Sequence, residues 1–285
     1  MSLVLTPAET HRAKVGSGAE IERLALSPSQ FDPFISLDHF RMWEATFPPH
    51  PHAGFSAVTY LFDDSQTGFR NRDSLGGLHR IEPGGLHWTL AGRGLMHEEI
   101  PLEPGRIAHG LQIFVNLPAS HKLMAPAMHR VEAAQMPRFA LGDGQATLVF
   151  GRCGERSAAP LPAPGDVSLL ELRLAAGGQA ELVLEGGQQG VGLAIDGSVE
   201  VRSAGHGQAP IRRGAWHGHN PTRSALALAL RAGDAGARLV WLSGTPWREP
   251  LVMHGPFGMS DAAGLQAALE RFRSGQMGDL RPLPL

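Results

Sequence analysis

The 285-residue sequence predicts an all-β fold: two β-barrels, with a helix at the C-terminus. Three observations carry that reading. Short apolar runs bounded by Gly, Pro, Asp and Asn recur along most of the chain, at spacings of about 8–12 residues that suit a sandwich or barrel. Glycine and proline are abundant, at 36 and 22 residues, which favours short elements joined by tight turns. Repeated helical patterns between the runs are missing, which disfavours a mixed α/β layout. The two halves share this texture without a strict repeat, as two related barrels would.

Taken in order, the strand-like runs begin with residues 57–62 (AVTYLF) and 110–117 (GLQIFVNL). Residues 146–150, 167–174, 180–184, 191–195, 198–201, 224–230 and 238–242 continue the series. Within 167–174, Leu170, Leu172 and Leu174 fall on one face of a strand. Residues 151–165 (GRCGERSAAPLPAPG) are rich in Gly, Ala and Pro, and strand patterning resumes directly after them. The chain is therefore divided there. Residues 1–150 are expected to form an N-terminal barrel. Residues 151–285 are expected to form a C-terminal barrel, ending in a helix. That helix has Ser260 as cap, Asp261 in its first turn, and Leu265, Leu269 and Phe272 at i, i+4 and i+7. Gly275 is its stop.

Composition excludes several classes. Apolar residues make up 42% and charged residues 18%, enough for a sizeable core and unlike a disordered chain. The net charge of −2 gives no basic surface for direct nucleic-acid binding, and Arg212-Arg213 is too short a patch. No apolar run is long enough to span a bilayer, and the N-terminus lacks a signal-peptide layout. The one cysteine, Cys153, cannot form an internal disulfide, so the expected location is the reducing cytoplasm. Cys153 reads as a plain thiol. Gly84-Gly85 and Gly92-Arg93-Gly94 have no following Lys-Ser/Thr and read as hairpin turns, not phosphate loops.

The chemistry lies in the histidines. Six of the 14 (His50, His52, His79, His87, His97, His109) fall within 60 residues. His50 and His52 sit two apart in PPHPHAGF, where prolines hold the chain extended and both imidazoles face one side. Alone, this could be a pair of surface histidines. His97 and Glu99 in MHEEI are also two apart, with Glu98 pointing the other way. Two antiparallel strands would bring the pairs together as three nitrogens and one carboxylate. That set suits Fe(II) first, with Mn, Ni, Co, Cu or Zn as alternatives, and leaves two positions open for ligands. A closed structural zinc site usually uses cysteine thiolates, and this chain has only Cys153.

The sequence resembles the pirin family of bicupin proteins. The resemblance rests on FDPF and LDHF at 31–40, PPHPHAGF at 48–55, TYL at 59–61 and RDSLG at 72–76. It continues through AGRGLMH at 91–97, GLQ and VNLP at 110–118, and EPLV and GPFGM at 249–259. It implies two cupin (jelly-roll) barrels and a metal in the first one only, held by His50, His52, His97 and Glu99. Two positions depart from the family pattern. Ser56 stands where cupins commonly carry Glu, and Asn71 where many pirins carry His. Both bear on the pocket wall. The family also implies two functions. One is metal-dependent dioxygenation of a flavonol, of the quercetin 2,3-dioxygenase type, with dioxygen as co-substrate and Glu99 as catalytic proton acceptor. The other is a non-enzymatic iron-binding, redox-sensing regulator of a transcription factor or metabolic enzyme. Phe40, Trp43, Phe47, Phe55 and Trp88 are expected at the pocket entrance. In the second half, His217 and His219 read as polar histidines on a turn, and His206 and His254 as isolated.

Overall fold

The computed structural model describes residues 4–161, 165–203, 211–212 and 214–281. Residues 162–164 of the Gly/Ala/Pro stretch, His206 and Arg213 lie outside the described residues.

The first part of the chain contributes β1 (Val4–Val15), β2 (Ala19–Ala25), the short helix α1 (Pro28–Phe31), β3 (Phe34–Met42), β4 (His50–His52) and β5 (Phe55–Leu61). There follow β6 (Phe69–Asp73), β7 (Leu78–Ile81), β8 (Leu86–Leu90), β9 (Leu95–Pro101), β10 (Ala108–Asn116) and β11 (Ala127–Val131). They form two antiparallel sheets. One runs β11-β8-β5-β10-β3-β2-β1, the other β4-β9-β6-β7. The turns at Gly84-Gly85 and Gly92-Arg93-Gly94 are not hairpins. Strand β7 pairs with β6, whereas β8 pairs with β5 and β9 with β4 and β6, so each turn carries the chain from one sheet to the other. The second crossing needs glycine: Gly92 has φ +50°, and a Cβ there would lie 2.2 Å from the Met124 carbonyl oxygen.

The rest of the chain contributes β12 (Arg138–Leu141), β13 (Gly144–Phe150), β14 (Arg152–Cys153), β15 (Arg156–Ser157), β16 (Ser168–Leu174) and β17 (Gln179–Leu184). After these come β18 (Gln189–Ser203), β19 (Ile211–Arg212), β20 (Ala215–His219), β21 (Leu226–Gly244), β22 (Val252–His254), β23 (Phe257–Met259) and helix α2 (Ala262–Arg273). The expected pairs of strands at 191–195 with 198–201, and 224–230 with 238–242, are single long strands, β18 and β21. Asp196-Gly197 reads as a turn in sequence. In the fold it is a bulge: the β18–β21 register shifts there and the ladder continues on both sides.

Pairing crosses the expected boundary at residue 150 in both directions. In β1, residues 9–15 pair with β2 and residues 4–8 with β20. Strands β12 and β13 lie before residue 150 but join the second sheet through β16. The largest apolar core accordingly holds residues of both halves, including Phe31, Phe34, Trp88, Phe150, Val191 and Leu242. A second core surrounds Trp216 and Trp241, and a smaller one with Phe40, Met42 and Phe69 borders the N-terminal pocket. Each large side chain fully buried in them contributes roughly 1.5–3 kcal/mol. Across the shared core, Tyr60 Oη donates to Glu171 Oε2 at 2.7 Å. Arg238 reaches Glu171 Oε1 and Asp64 Oδ1, each at 2.9 Å, with its guanidinium 4.1 Å from the Phe62 ring centre.

Helix α2 is capped by Asp261, not Ser260: the Asp261 side chain accepts from Gly264 N at 2.6 Å. Its end is a Schellman motif. Gly275 N donates to Phe272 O and Gln276 N to Arg271 O, with Gly275 at φ +75°. Leu265 and Ala268 are buried, whereas Phe272 is largely exposed. The helix packs on Ala53, Phe257 and Met259, so the end of the chain returns to the segment that follows β4. Among the described residues, no helix is long and apolar enough to cross a membrane.

Candidate metal centre

Strand β9 organises the site. It pairs with β4 on one side, setting His50 opposite His97, and with β6 on the other, setting Asp73 opposite His97 and Asn71 opposite Glu99. The alternation of an extended chain then turns His50, His52, His97 and Glu99 into the same pocket. Glu98 points away and pairs with Arg72 at 2.5 Å, as its place in the sequence predicts.

The three histidines form a close group, with one ring nitrogen from each within 4.8 Å of the others. His50 Nε2 and His97 Nε2 are 3.2 Å apart. His50 Nδ1 donates to the Pro48 carbonyl at 2.9 Å, which fixes its tautomer and leaves Nε2 as a lone pair. Burial, and after it the neighbouring imidazoles, push His52 and His97 well below the usual histidine range, so both are neutral. Neutral buried imidazoles that turn ring nitrogens toward one point fit a first-row cation. Among the described residues, the donor atoms close enough to hold such an ion belong to these three histidines. Cys153 is remote from them, on β14 against the second core.

Glu99 lines the same pocket but stands outside the close histidine group. Thr59 Oγ1 donates to its Oε2 at 2.6 Å, and His87 Nδ1 faces its Oε1 at 3.4 Å. Burial alone would raise the Glu99 carboxyl. The opposing pull of His87, His97 and Thr59 holds it below the usual carboxylate range, and so ionised.

Thr59 and His87 carry no role in the sequence reading. They belong to a polar row across the large sheet: Arg23, Asp38, Gln112, Thr59 and His87 stand directly opposite one another on β2, β3, β10, β5 and β8. A polar residue inside an otherwise apolar strand, as in AVTYLF and LHWTL, is the signal that could have found them. Gln112 Oε1 lies 3.1 Å from the same Thr59 hydroxyl, and Arg23 pairs with Asp38 at 2.6 Å.

The pocket encloses about 220 Å³ and is walled by Phe40, Met42, Phe47, Phe69 and Phe114. Phe40 and Phe47 are where the sequence expects them. Phe55 lies behind His52, with rings 5.2 Å apart. Trp88 and Trp43 are not among the residues that line the pocket: alternation turns Trp88 to the opposite face of β8 from His87, and Trp43 lies past the end of β3. Trp88 instead meets Phe150 edge-on at 5.2 Å in the shared core. Of the two departures from the family pattern, Asn71 stands opposite Glu99, fully buried and with no partner for either amide atom among the described residues, whereas Ser56 is buried on β5 on the strand face of Val58 and Tyr60, away from Thr59. His217 and His219 lie on β20 and not on a turn, and His217 is buried against Gln189.

Comparison with known proteins agrees with this architecture. The Pirin family matches residues 16–115, and the Pirin C-terminal cupin domain matches residues 169–278. A Pseudomonas aeruginosa protein named "Putative quercetin 2,3-dioxygenase" is 34% identical over 278 residues, covering 93% of this chain and 94% of that protein. Pirin from Mus musculus is 30% identical, covering 92% of this chain and 89% of its own. Two solved structures share the fold. Quercetin 2,3-dioxygenase from Acinetobacter baumannii superimposes with a TM-score of 0.81 at 23% identity, over 98% of both chains. A bacterial pirin from Escherichia coli in complex with nickel(II) does so with a TM-score of 0.62 at 16% identity, over 86% of this chain and 99% of that one. A family match in each half, and a 34% identical relative aligned over nearly the whole of both chains, place this bicupin protein in the pirin family.

Proposed function

We propose that this protein is a metal-dependent oxygenase of the quercetin 2,3-dioxygenase type that acts on flavonols in the cytoplasm, with iron(II) in the N-terminal barrel. The observation that carries this reading is the group of three histidines at the base of a pocket walled by aromatic rings, with an ionised carboxylate beside them. The names of the 34% identical relative and of the Acinetobacter baumannii neighbour support it.

His50, His52, His97 and Glu99 would hold the metal, which when bound supplies Lewis acidity toward a chelating hydroxyl and carbonyl, and redox chemistry with dioxygen. Phe40, Phe47, Phe69 and Phe114 pack against a flat ring and exclude water. Thr59 donates to Glu99 Oε2, and Oε1, which His87 Nδ1 faces at 3.4 Å, would take the proton of the flavonol 3-hydroxyl. Gln112 and the Arg23–Asp38 pair, higher on the same wall, meet the polar groups of the substrate.

The test is metal analysis with oxygen uptake on one preparation, comparing wild type, His97→Ala and Glu99→Ala across a flavonol panel. The proposal expects about one metal per chain, lost in His97→Ala, and flavonol-dependent uptake that disappears in Glu99→Ala. Metal without uptake would overturn the oxygenase and favour the iron-binding regulator. Uptake that survives Glu99→Ala would remove the role given to Glu99.

A further inference from the structure

A second cavity lies where the two halves meet. It encloses about 850 Å³ and is lined by Thr6, Asp32, Phe34, Asn116, Gln189, His217, Arg248 and Leu251, among others. It takes side chains from β1, β3 and β10 on one side and from β18 and β20 on the other. The metal pocket shares none of its lining residues.

Three features make it a built site. The first is a fixed hydrogen-bond polarity. Gln189 Nε2 donates to the Ser29 carbonyl at 2.9 Å, which leaves Gln189 Oε1 as acceptor. His217 Nε2, 2.9 Å from that oxygen, must therefore carry the proton. His217 Nδ1 is then a lone pair with no hydrogen bond among the described residues, on a residue that is 6% exposed and lines the cavity. Second, the acidic groups at the rim are also acceptors. Asp32 Oδ2 is held by Arg248 N at 2.7 Å and Glu249 Oε2 by Ala119 N at 2.5 Å, and neither carboxylate has a salt-bridge partner among the described residues. Third, Arg248 has φ +55° and is the one non-glycine among the described residues in the left-handed region. Strain of that kind persists where the surroundings enforce it, and it clusters at ligand sites.

Beside these acceptors the lining is mixed: Val4, Pro28, Phe34, Pro246 and Leu251 supply apolar surface, and Thr6, Gln30, Asn116 and Arg248 supply further polar groups. A complementary ligand has an apolar frame and a hydrogen-bond donor. A neutral donor suits a desolvated imidazole lone pair better than an ammonium, whose charge would lose its water at the buried floor. Burial, with His219 beside it, lowers the His217 imidazole to about 4, consistent with a neutral acceptor. We propose that this cavity is a second small-molecule site, for a hydroxyarene whose hydroxyl donates to His217 Nδ1 while its ring lies against Phe34 and Leu251.

The probe is p-cresol, with anisole as the matched molecule that has no donor. Histidine ring signals of the full-length protein are followed by NMR, the His217 signal being assigned by its loss in His217→Gln. The site predicts a saturable p-cresol shift of the His217 signal and at least about tenfold weaker binding of anisole, as loss of one hydrogen bond implies. Leu251→Trp fills the cavity from its rim without touching the floor, and should abolish the shift. The proposal fails if p-cresol shifts only the metal-pocket histidines, if anisole binds equally well, or if the His217 signal does not move up to the solubility limit. It also fails if Leu251→Trp leaves the shift intact. The metal-pocket histidines report separately, so failure here is distinguishable from failure of the oxygenase reading.

Discussion

Thr59 Oγ1 donates to Glu99 Oε2 at 2.6 Å, across the space between the two sheets of the N-terminal barrel. This bond decides which carboxylate oxygen stays available to the pocket. Thr59→Val keeps the shape and removes the donor. Because outer partners of metal-site groups orient them, the valine variant should lose about 10–100-fold in metal affinity or turnover. Thr59→Ser should retain most of both. A competition titration with a chromogenic chelator measures the first. Wild-type affinity and turnover in the valine variant would show that Glu99 is oriented by other means.

Arg238 joins the two halves through Glu171 and Asp64, and it is 7% exposed. Glu171 is buried too, and its remaining partners are Tyr60 and the half-exposed Arg173. Removing the arginine leaves a buried carboxylate short of its main counter-charge, a change that typically costs about 3–5 kcal/mol. Arg238→Met should therefore lower the urea midpoint strongly. Arg238→Met with Glu171→Gln should recover a large part of the loss, because the uncompensated charge is gone. If the double variant is no more stable than the single one, the cost lies in lost packing over Phe62 and not in charge.

Two buried histidines set the acid limit. Burial first, then His109 and Arg41, lower His39 to about 3, and burial with His219 lowers His217 to about 4. Glu22 opposes the shift of His39 without cancelling it. The unfolded chain protonates these rings near pH 6.5, so below that pH it binds more protons than the folded chain. Stability is thus lost as pH falls from about 6.5, down to about 4 for His217 and about 3 for His39. Urea unfolding at pH 7.5, 6 and 5 measures the slope. His217→Gln should flatten it by up to about one proton. An unchanged slope in that variant would exclude a neutral His217 in the folded state.

The candidate metal centre was legible in the sequence because each pair of residues that the fold brings into the pocket is local. His50 with His52, and His97 with Glu99, are two apart on strands, and strand alternation needs no tertiary information to set them on one face. Thr59 and His87 were not, since they reach Glu99 only through cross-strand register, a long-range property. The same reason hid the bent strands β18 and β21. Asp196-Gly197 carries the local chemistry of a turn, and only pairing with β21 makes it a bulge. Helix α2 was visible from its apolar spacing, but its docking on Ala53 was not, because nothing near Ser260 encodes a partner some 200 residues away.

Lys122 ties the segment that follows the candidate metal ligands His50 and His52 to the end of the chain. Its ammonium donates to Gly54 O at 2.9 Å, to Asn116 Oδ1 at 2.7 Å and to Gly258 O at 3.1 Å. Gly54 lies two residues after His52, and Gly258 follows the bridge between Phe257 and Ala53. Lys122→Met would leave three acceptors short of a donor, at a cost of about 1–3 kcal/mol. It should also weaken metal binding, by loosening the chain on which His52 stands. Burial lowers Lys122 to about 8, despite the opposing charges of Glu249 and Asp32, whereas an unfolded lysine titrates near 10.4. Between those values the unfolded chain binds the extra proton, so this group adds stability as pH rises from about 8 toward 10. The gap in unfolding free energy between wild type and Lys122→Met should therefore widen from pH 7.5 to 9.5. A gap that stays constant would mean the ammonium is not desolvated, and a gap that narrows would mean that its charge is what holds the seam together.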